Sequence, residues 1–310
     1  MLTHRIRAGL AGLLLAAGLA AFPAIGPGVA RAADPLFVDW SSLLPGLAGP
    51  YDPSSPNICR AGQPQCVDAV IREMQRRFDP LATACDHDAV FALTYLRTTQ
   101  EYRRTIEDPT FFADTRAVDH EDAVFADAYF TAYDDWHAGE IGSVPPAWAI
   151  AFQATRDHAV SAAGDLLLGI NAHVQRDLPF VLYSVGLTAP DGSSRKPDHD
   201  RVNVILNRVM MPAIAEIAQR FDPTIDDADV SGTTLDDTLV FQILPTWRET
   251  AWRNAERLAA APDDAARAQV AAQIEASAAA QARAIVAGSA YLPGVQSSAA
   301  RDAYCAVHHG

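Results

Sequence analysis

Basic side chains are scarce in this sequence. Its 310 residues hold 24 Lys or Arg against 38 Asp or Glu, and Lys196 is the single lysine. The formal net charge of -14 makes a surface that repels nucleic-acid phosphates and anionic lipid. Nucleic acid is thereby excluded as a structural partner. A substrate phosphate held by a metal stays compatible, because the local field there would belong to the ion. Beyond the first 32 residues no apolar run approaches the ~20 residues that span a bilayer. Alternating apolar/polar stretches are also scarce, which removes strands as the main element and leaves an all-α fold. No Gly-x-Ser-x-Gly, P-loop or dinucleotide fingerprint occurs, so serine-hydrolase chemistry has no basis here.

The N-terminus has the parts of an export signal. His4, Arg5 and Arg7 precede a short Ala/Leu/Gly run, and Ala30-Arg31-Ala32 is a small-x-small site. Residues 1–32 are expected to be a signal peptide that is removed, leaving a secreted chain. Loss of Arg5, Arg7 and Arg31 with no acid takes the charge from -14 to -17. Residues 33–66 are rich in Pro, Gly and Ser and read as an irregular arm. Residues 67–310 read as one helical domain, and the apolar fraction of 49% supplies its core. Four cysteines in an exported chain read as two disulfides with three pairings open. Cys59 and Cys66 are close enough to close a small loop, and Cys85 with Cys305 would then tie the C-terminal tail to the body.

Val70, Ile71, Met74 and Phe78 repeat at helical spacing, and Asp79-Pro80 is expected to stop that run. Further helices are expected at Ala89 to Thr105, from about Glu121 to Trp136, and from Pro145-Pro146 through Phe152. Asp165 to Leu182 is strongly apolar, with a break or kink at Pro179. Gly186 to Asp200 reads as a loop, followed by helices from Val202 to Phe221, Leu235 to Leu258 and Asp263 to Ala287. One internal echo stands out: Asp86-His87-Asp88-Ala89-Val90-Phe91-Ala92 is answered by His120-Glu121-Asp122-Ala123-Val124-Phe125-Ala126. Acids that cap helix starts are the preferred explanation. The sharper one is two related helices presenting His/carboxylate clusters to one centre.

Chemistry points first to Gly169-Ile170-Asn171-Ala172-His173-Val174-Gln175-Arg176-Asp177-Leu178-Pro179. On a helix His173 and Asp177 lie one turn apart on one face, with Gly169 and Asp165 one and two turns earlier. So many polar groups beside Leu166-Leu167-Leu168 need partners, since an unpaired buried polar group costs about 1–3 kcal/mol. Imidazole and carboxylate suit zinc, manganese or iron. Otherwise the same groups form a hydrogen-bonded core network, with Asp177 paired to an Arg. The second candidate is Arg195-Lys196-Pro197-Asp198-His199-Asp200-Arg201-Val202-Asn203. Its acids can cap the next helix, or Asp198 and His199 can complete the site while Lys196 meets an anionic substrate.

Ala84-Cys85-Asp86-His87-Asp88-Ala89, Val144-Pro145-Pro146-Ala147-Trp148, the Gly169-to-Pro179 segment and Lys196-Pro197-Asp198-His199 resemble the bacterial domain-of-unknown-function family numbered 5995. The resemblance spans roughly Cys59 to Trp252, and Asn-Ala-His-x-x-x-Asp-Leu is its most specific element. It implies a shared helical domain and no named activity. Taken with the residues, the leading expectation is a metal-dependent hydrolase of an ester or phosphoester acting on a small-molecule substrate. Asp165, His173, Asp177, Asp198 and His199 would hold the ion, and Asp88 or Asp122 would serve as base or extra ligand. A non-catalytic secreted binding or structural protein is the alternative, and a metal-free enzyme with His173 or His199 as general base is a third reading.

Overall fold

The computed structural model describes residues 49–228, 235–291 and 296–309. The expected signal peptide and the arm up to residue 48 lie outside them. Among the described residues the fold is helical throughout and contains no strand, only two isolated bridges. No described helix is long and apolar enough to cross a membrane.

Residues 49–63 form turns, closed by the Cys59–Cys66 disulfide. Helix α1 (Pro64–Ala84) starts on a proline in its first turn, where the missing N–H is no loss. It buries Val67, Val70, Met74, Phe78 and Leu81 along one face. It also runs through Pro80 instead of stopping there. Leu81 and Ala82 are buried, and Cys85 closes the helix in the left-handed region at φ 55°, so core packing outweighs the lost bond. Helix α2 (Ala89–Thr105) has the expected bounds, whereas α3 (Thr115–Ala138) begins earlier, capped by Asp114. Helix α4 (Pro146–Arg156) again opens on proline.

The central apolar segment divides into α5 (Ala162–Ile170), a π-helical turn (Asn171–Asp177) and α6 (Leu178–Val185). Pro179 cannot donate to the preceding turn, and the chain widens just before it, with the Leu178 N–H reaching the carbonyl of His173. Helix α7 (Lys196–Arg220) starts six residues before the expected Val202, again with proline in its first turn. Helices α8 (Leu235–Ala259) and α9 (Asp264–Gly288) follow, and Asp263 caps α9 by accepting from Ala266 N–H at 2.7 Å. A last helix, α10 (Ser298–His308), was not foreseen by periodicity. The Cys85–Cys305 disulfide fastens it to the end of α1, with 5.9 Å between Cα atoms.

One core cluster draws buried residues from α1 through α10. Helix α2 is central to it, packing on α1 and α7, while α8 covers α6 and α9 covers α4 and the π turn. Gly169 is required by this packing: a Cβ there would stand 2.3 Å from the Phe91 ring. The room left by that glycine is filled by an aromatic side chain of α2.

Candidate functional site

A cavity of about 100 Å³ lies between α2, α3, the π turn, α7 and α8. Helix α2 turns Thr94, Tyr95, Thr98, Thr99 and Tyr102 towards it, residues spaced three and four apart along one face. Glu121, Asp122 and Phe125 come from α3, His173 and Val174 from the π turn, and Leu244 and Arg248 from α8. Ile205, Leu206 and Met210 of α7 close it with apolar surface. Such an enclosure, mostly apolar with a few convergent polar groups, is the usual form of a small-molecule site between helices.

His173 is 3% exposed and held on one edge. Its Nδ1 lies 3.1 Å from Asp177 Oδ2, which also accepts from Trp148 Nε1–H at 2.9 Å. Asp177 Oδ1 accepts from Arg176 Nη1 at 3.0 Å. Asp177 is an acceptor towards all three, so the ring hydrogen belongs on Nδ1 and the lone pair on Nε2. That Nε2 has no hydrogen-bond partner among the described residues. Burial holds the imidazole below its ordinary pKa, against the opposing pull of Asp177, which keeps the ring neutral. Phe125 stacks on it at 3.5 Å and 6°, and Tyr95 approaches at 4.5 Å.

Part of the remaining polar wall is spent: Thr94 and Thr98 donate to the Val90 and Thr94 carbonyls, and Tyr102 donates to Asp119. Among the described residues, Tyr95 Oη, Thr99 Oγ1, Asp122 Oδ2 and Arg248 Nε lack partners. Burial, reinforced by Asp119 and Glu121, pushes the Asp122 carboxyl well above the usual carboxylate range. Burial lifts Glu121 to about 7 although Arg248 and Arg195 oppose it. Tyr95 is likewise raised by burial and then by Asp122, and so retains its proton. Arg248 is anchored by His199, whose carbonyl accepts from Nη2 at 2.7 Å. Burial and then Arg248 hold His199 down to about 2.

The five expected metal ligands do not meet at one centre. His173 and Asp177 adjoin, but both Asp177 oxygens are engaged by Trp148, Arg176 and His173. Arg176 also pairs with Glu275 at 2.6 Å. Asp198 accepts from the N–H groups of Ala113 and Asp114 at 2.8 and 2.9 Å, binding the α2–α3 link to the start of α7. His199 serves Arg248. Asp165 pairs with Arg301 at 2.6 Å and lies 3.7 Å from His87. Lys196 is spent on Asp200 and Glu249, each at 2.7 Å. Among the described residues, the group with three ligand atoms within 4.8 Å of one another is His87, His158 and Asp302.

The internal echo divides. Asp88 opens α2 and pairs with His137 at 3.6 Å, while Asp122 lies in the second turn of α3, too far in to cap it. His120 fixes the arm, facing the carbonyls of Cys59 and Gly49 at 3.2 and 2.9 Å. Phe91 and Phe125 nevertheless both pack on His173, so the repeat does converge, through its aromatics. Sequence reasoning missed Tyr95, Thr99, Glu121 and Arg248 as cavity groups. The run of hydroxyls at Thr94, Tyr95, Thr98, Thr99 and Tyr102 was the available signal.

No curated protein and no solved structure gives a match. A family model described as a family of unknown function matches residues 67–288, from the first turn of α1 to the end of α9, farther towards the C-terminus than the motifs alone had reached. The chain belongs to that family, DUF5995.

Proposed function

We propose that this protein is an exported enzyme that hydrolyses small, largely apolar esters in the α2/α3/α7/α8 cavity, with His173 as general base. The observation that carries the reading is the unpartnered Nε2 of a neutral, Asp177-oriented imidazole on a residue that lines the cavity. A base needs its lone pair free at working pH and its ring fixed, and both conditions are met. His173 Nε2 takes a proton from water as the oxygen attacks the ester carbonyl. Tyr95 and Asp122, which keep their protons, donate to the developing oxyanion. Collapse breaks the bond to the alcohol oxygen, which receives the proton from His173, giving acid and alcohol. Phosphoesters suit the cavity poorly, because Arg248 is the one cation among the described lining residues and its charge is opposed by Glu121. At about 100 Å³ the space is smaller than the roughly 150 Å³ known to admit benzene. A short acyl group therefore fits with the alcohol portion directed outward. Two disulfides suit an oxidising compartment and support the exported assignment.

A second reading has its own observation. Asp177, Arg176, Trp148 and Glu275 form a charge-paired interior network, as a polar cluster that only organises helix packing would. Hydrolysis of 4-nitrophenyl acetate and butyrate by the wild type and His173→Ala separates the two. The enzyme reading expects turnover that falls about 10²–10⁴-fold in the variant. Equal rates from both proteins, each folded by circular dichroism, would leave the cavity as a non-catalytic binding site.

A further inference from the structure

A second cluster lies on three segments that the cavity does not use. His87 sits in the turn between α1 and α2, His158 in the link between α4 and α5, and Asp302 on α10. His87 Nε2 is 2.9 Å from Asp302 Oδ1, and His158 Nδ1 is 3.1 Å from Asp302 Oδ2. The two rings stack at 4.0 Å and 27°. His158 adopts φ +51°, which is uncommon for a residue with a side chain and is held here by its surroundings. The Cys85–Cys305 disulfide joins the segments that carry His87 and Asp302, two and three residues away along the chain.

The His87 ring is 2% exposed, with Nε2 against the Asp302 carboxylate and Nδ1 3.7 Å from Asp165. Its Nδ1 has no hydrogen-bond partner among the described residues. A cation held between Nε2 and Asp302 would place the ring hydrogen on Nδ1, on the side of Asp165, the arrangement in which a carboxyl group orients a metal-bound histidine.

We propose that His87 Nε2, His158 Nδ1 and the Asp302 carboxylate bind one zinc-class divalent ion. Two imidazoles and a carboxylate are a common donor set for zinc, which then completes four-coordination with water. Bonds of ~2.0 Å at tetrahedral angles put ligand atoms about 3.3 Å apart, so modest outward movement of the half-exposed His158 and Asp302 side chains completes the site. The ion bridges α10 to the α1–α2 turn alongside the disulfide and adds a second fastening for the C-terminal helix. This site is independent of the proposed hydrolase cavity.

Zinc chloride titrated into the oxidised full chain by calorimetry, with thermal unfolding read in parallel, tests the proposal. The expected result is one ion per chain and a higher Tm with zinc. Asp302→Asn, on an accessible side chain, and His158→Asn, where asparagine tolerates the left-handed backbone, should each weaken binding about 100-fold or more and abolish the Tm increment. His173→Ala should bind zinc as the wild type does. No binding at 100-fold molar excess, or binding unchanged in both asparagine variants, would overturn the assignment. So would binding lost in His173→Ala and kept in Asp302→Asn, which would move the ion to the cavity.

Discussion

The π turn presents buried polar groups to two regions that treat them differently. Towards α9, Arg176 pairs with both Asp177 and Glu275, and Asn171 donates to the Ala278 carbonyl at 2.9 Å. Towards α2 and α3, His173, Tyr95 and Asp122 line one cavity, and their Nε2, Oη and Oδ2 atoms have no hydrogen-bond partner among the described residues. Burying an unpaired polar group costs about 1–3 kcal/mol, so packing alone gives no reason to keep several in one place. The first region pairs its charges and fixes Asp177, although Asn171 Oδ1 and Glu275 Oε2 have no hydrogen-bond partner among the described residues; in the second, no ion pair engages the unpartnered groups. The contrast teaches that a single polar stretch of sequence can be half scaffold and half site. The paired half holds still the imidazole that, on the proposed function, the other half would use.

The comparison can be broken most severely on the paired side. Arg176→Met leaves Glu275 and Asp177 without their cation and should destabilise the fold by about 3–5 kcal/mol, read by urea unfolding. A loss under about 1 kcal/mol would mean that the network is not holding the turn. Gly169→Ala drives a methyl to 2.3 Å from Phe91 and should cost about 1–3 kcal/mol by the same measurement. Because Phe91 packs on His173, the ester hydrolysis proposed for the protein should fall in this variant as well.

On the unspent side the expected stability changes are small and pH-dependent. Glu121 is raised from 4.5 to about 7 by burial. The folded state therefore holds its proton more tightly than the unfolded chain, and wild-type stability declines as pH rises from about 4.5 to 7. Glu121→Gln removes this decline. Its Tm advantage over the wild type should be near zero at pH 4.5 and largest above pH 7; the reverse trend would refute the burial argument. Asp122→Asn imitates the protonated carboxyl and should leave Tm nearly unchanged. In ester hydrolysis it should erase the alkaline fall caused by Asp122 ionisation and leave the acid limb, set by His173 below pH 6.5, in place.

Much of this was legible where apolar period and end signals agree. Helix α2 has the bounds its pattern predicts, and α9 follows directly from Asp263 at its cap. Helix α10 was not foreseen: its buried residues are only Arg301 and Cys305, so core burial does not define it. A disulfide and ion pairs hold it instead. Pro80 misled for a related reason: tertiary burial of Leu81 carried α1 past a residue that breaks isolated helices. In the site, the spacing of His173 and Asp177 correctly joined them. Their partners were illegible, since Trp148, Glu275 and Arg248 come from distant helices and nothing local ties them to the motif. His87 was visible but read as part of a cap, and His158 gives no pattern.

The central claim, that His173 offers a free Nε2 lone pair to a ligand, is tested most directly by ¹⁵N NMR of the histidine ring. The account predicts at pH 7 a protonated Nδ1, an unprotonated Nε2, and an Nε2 resonance that moves when a short ester or its carboxylic acid product is added. A protonated Nε2 at pH 7, or a resonance indifferent to every such ligand, would contradict it.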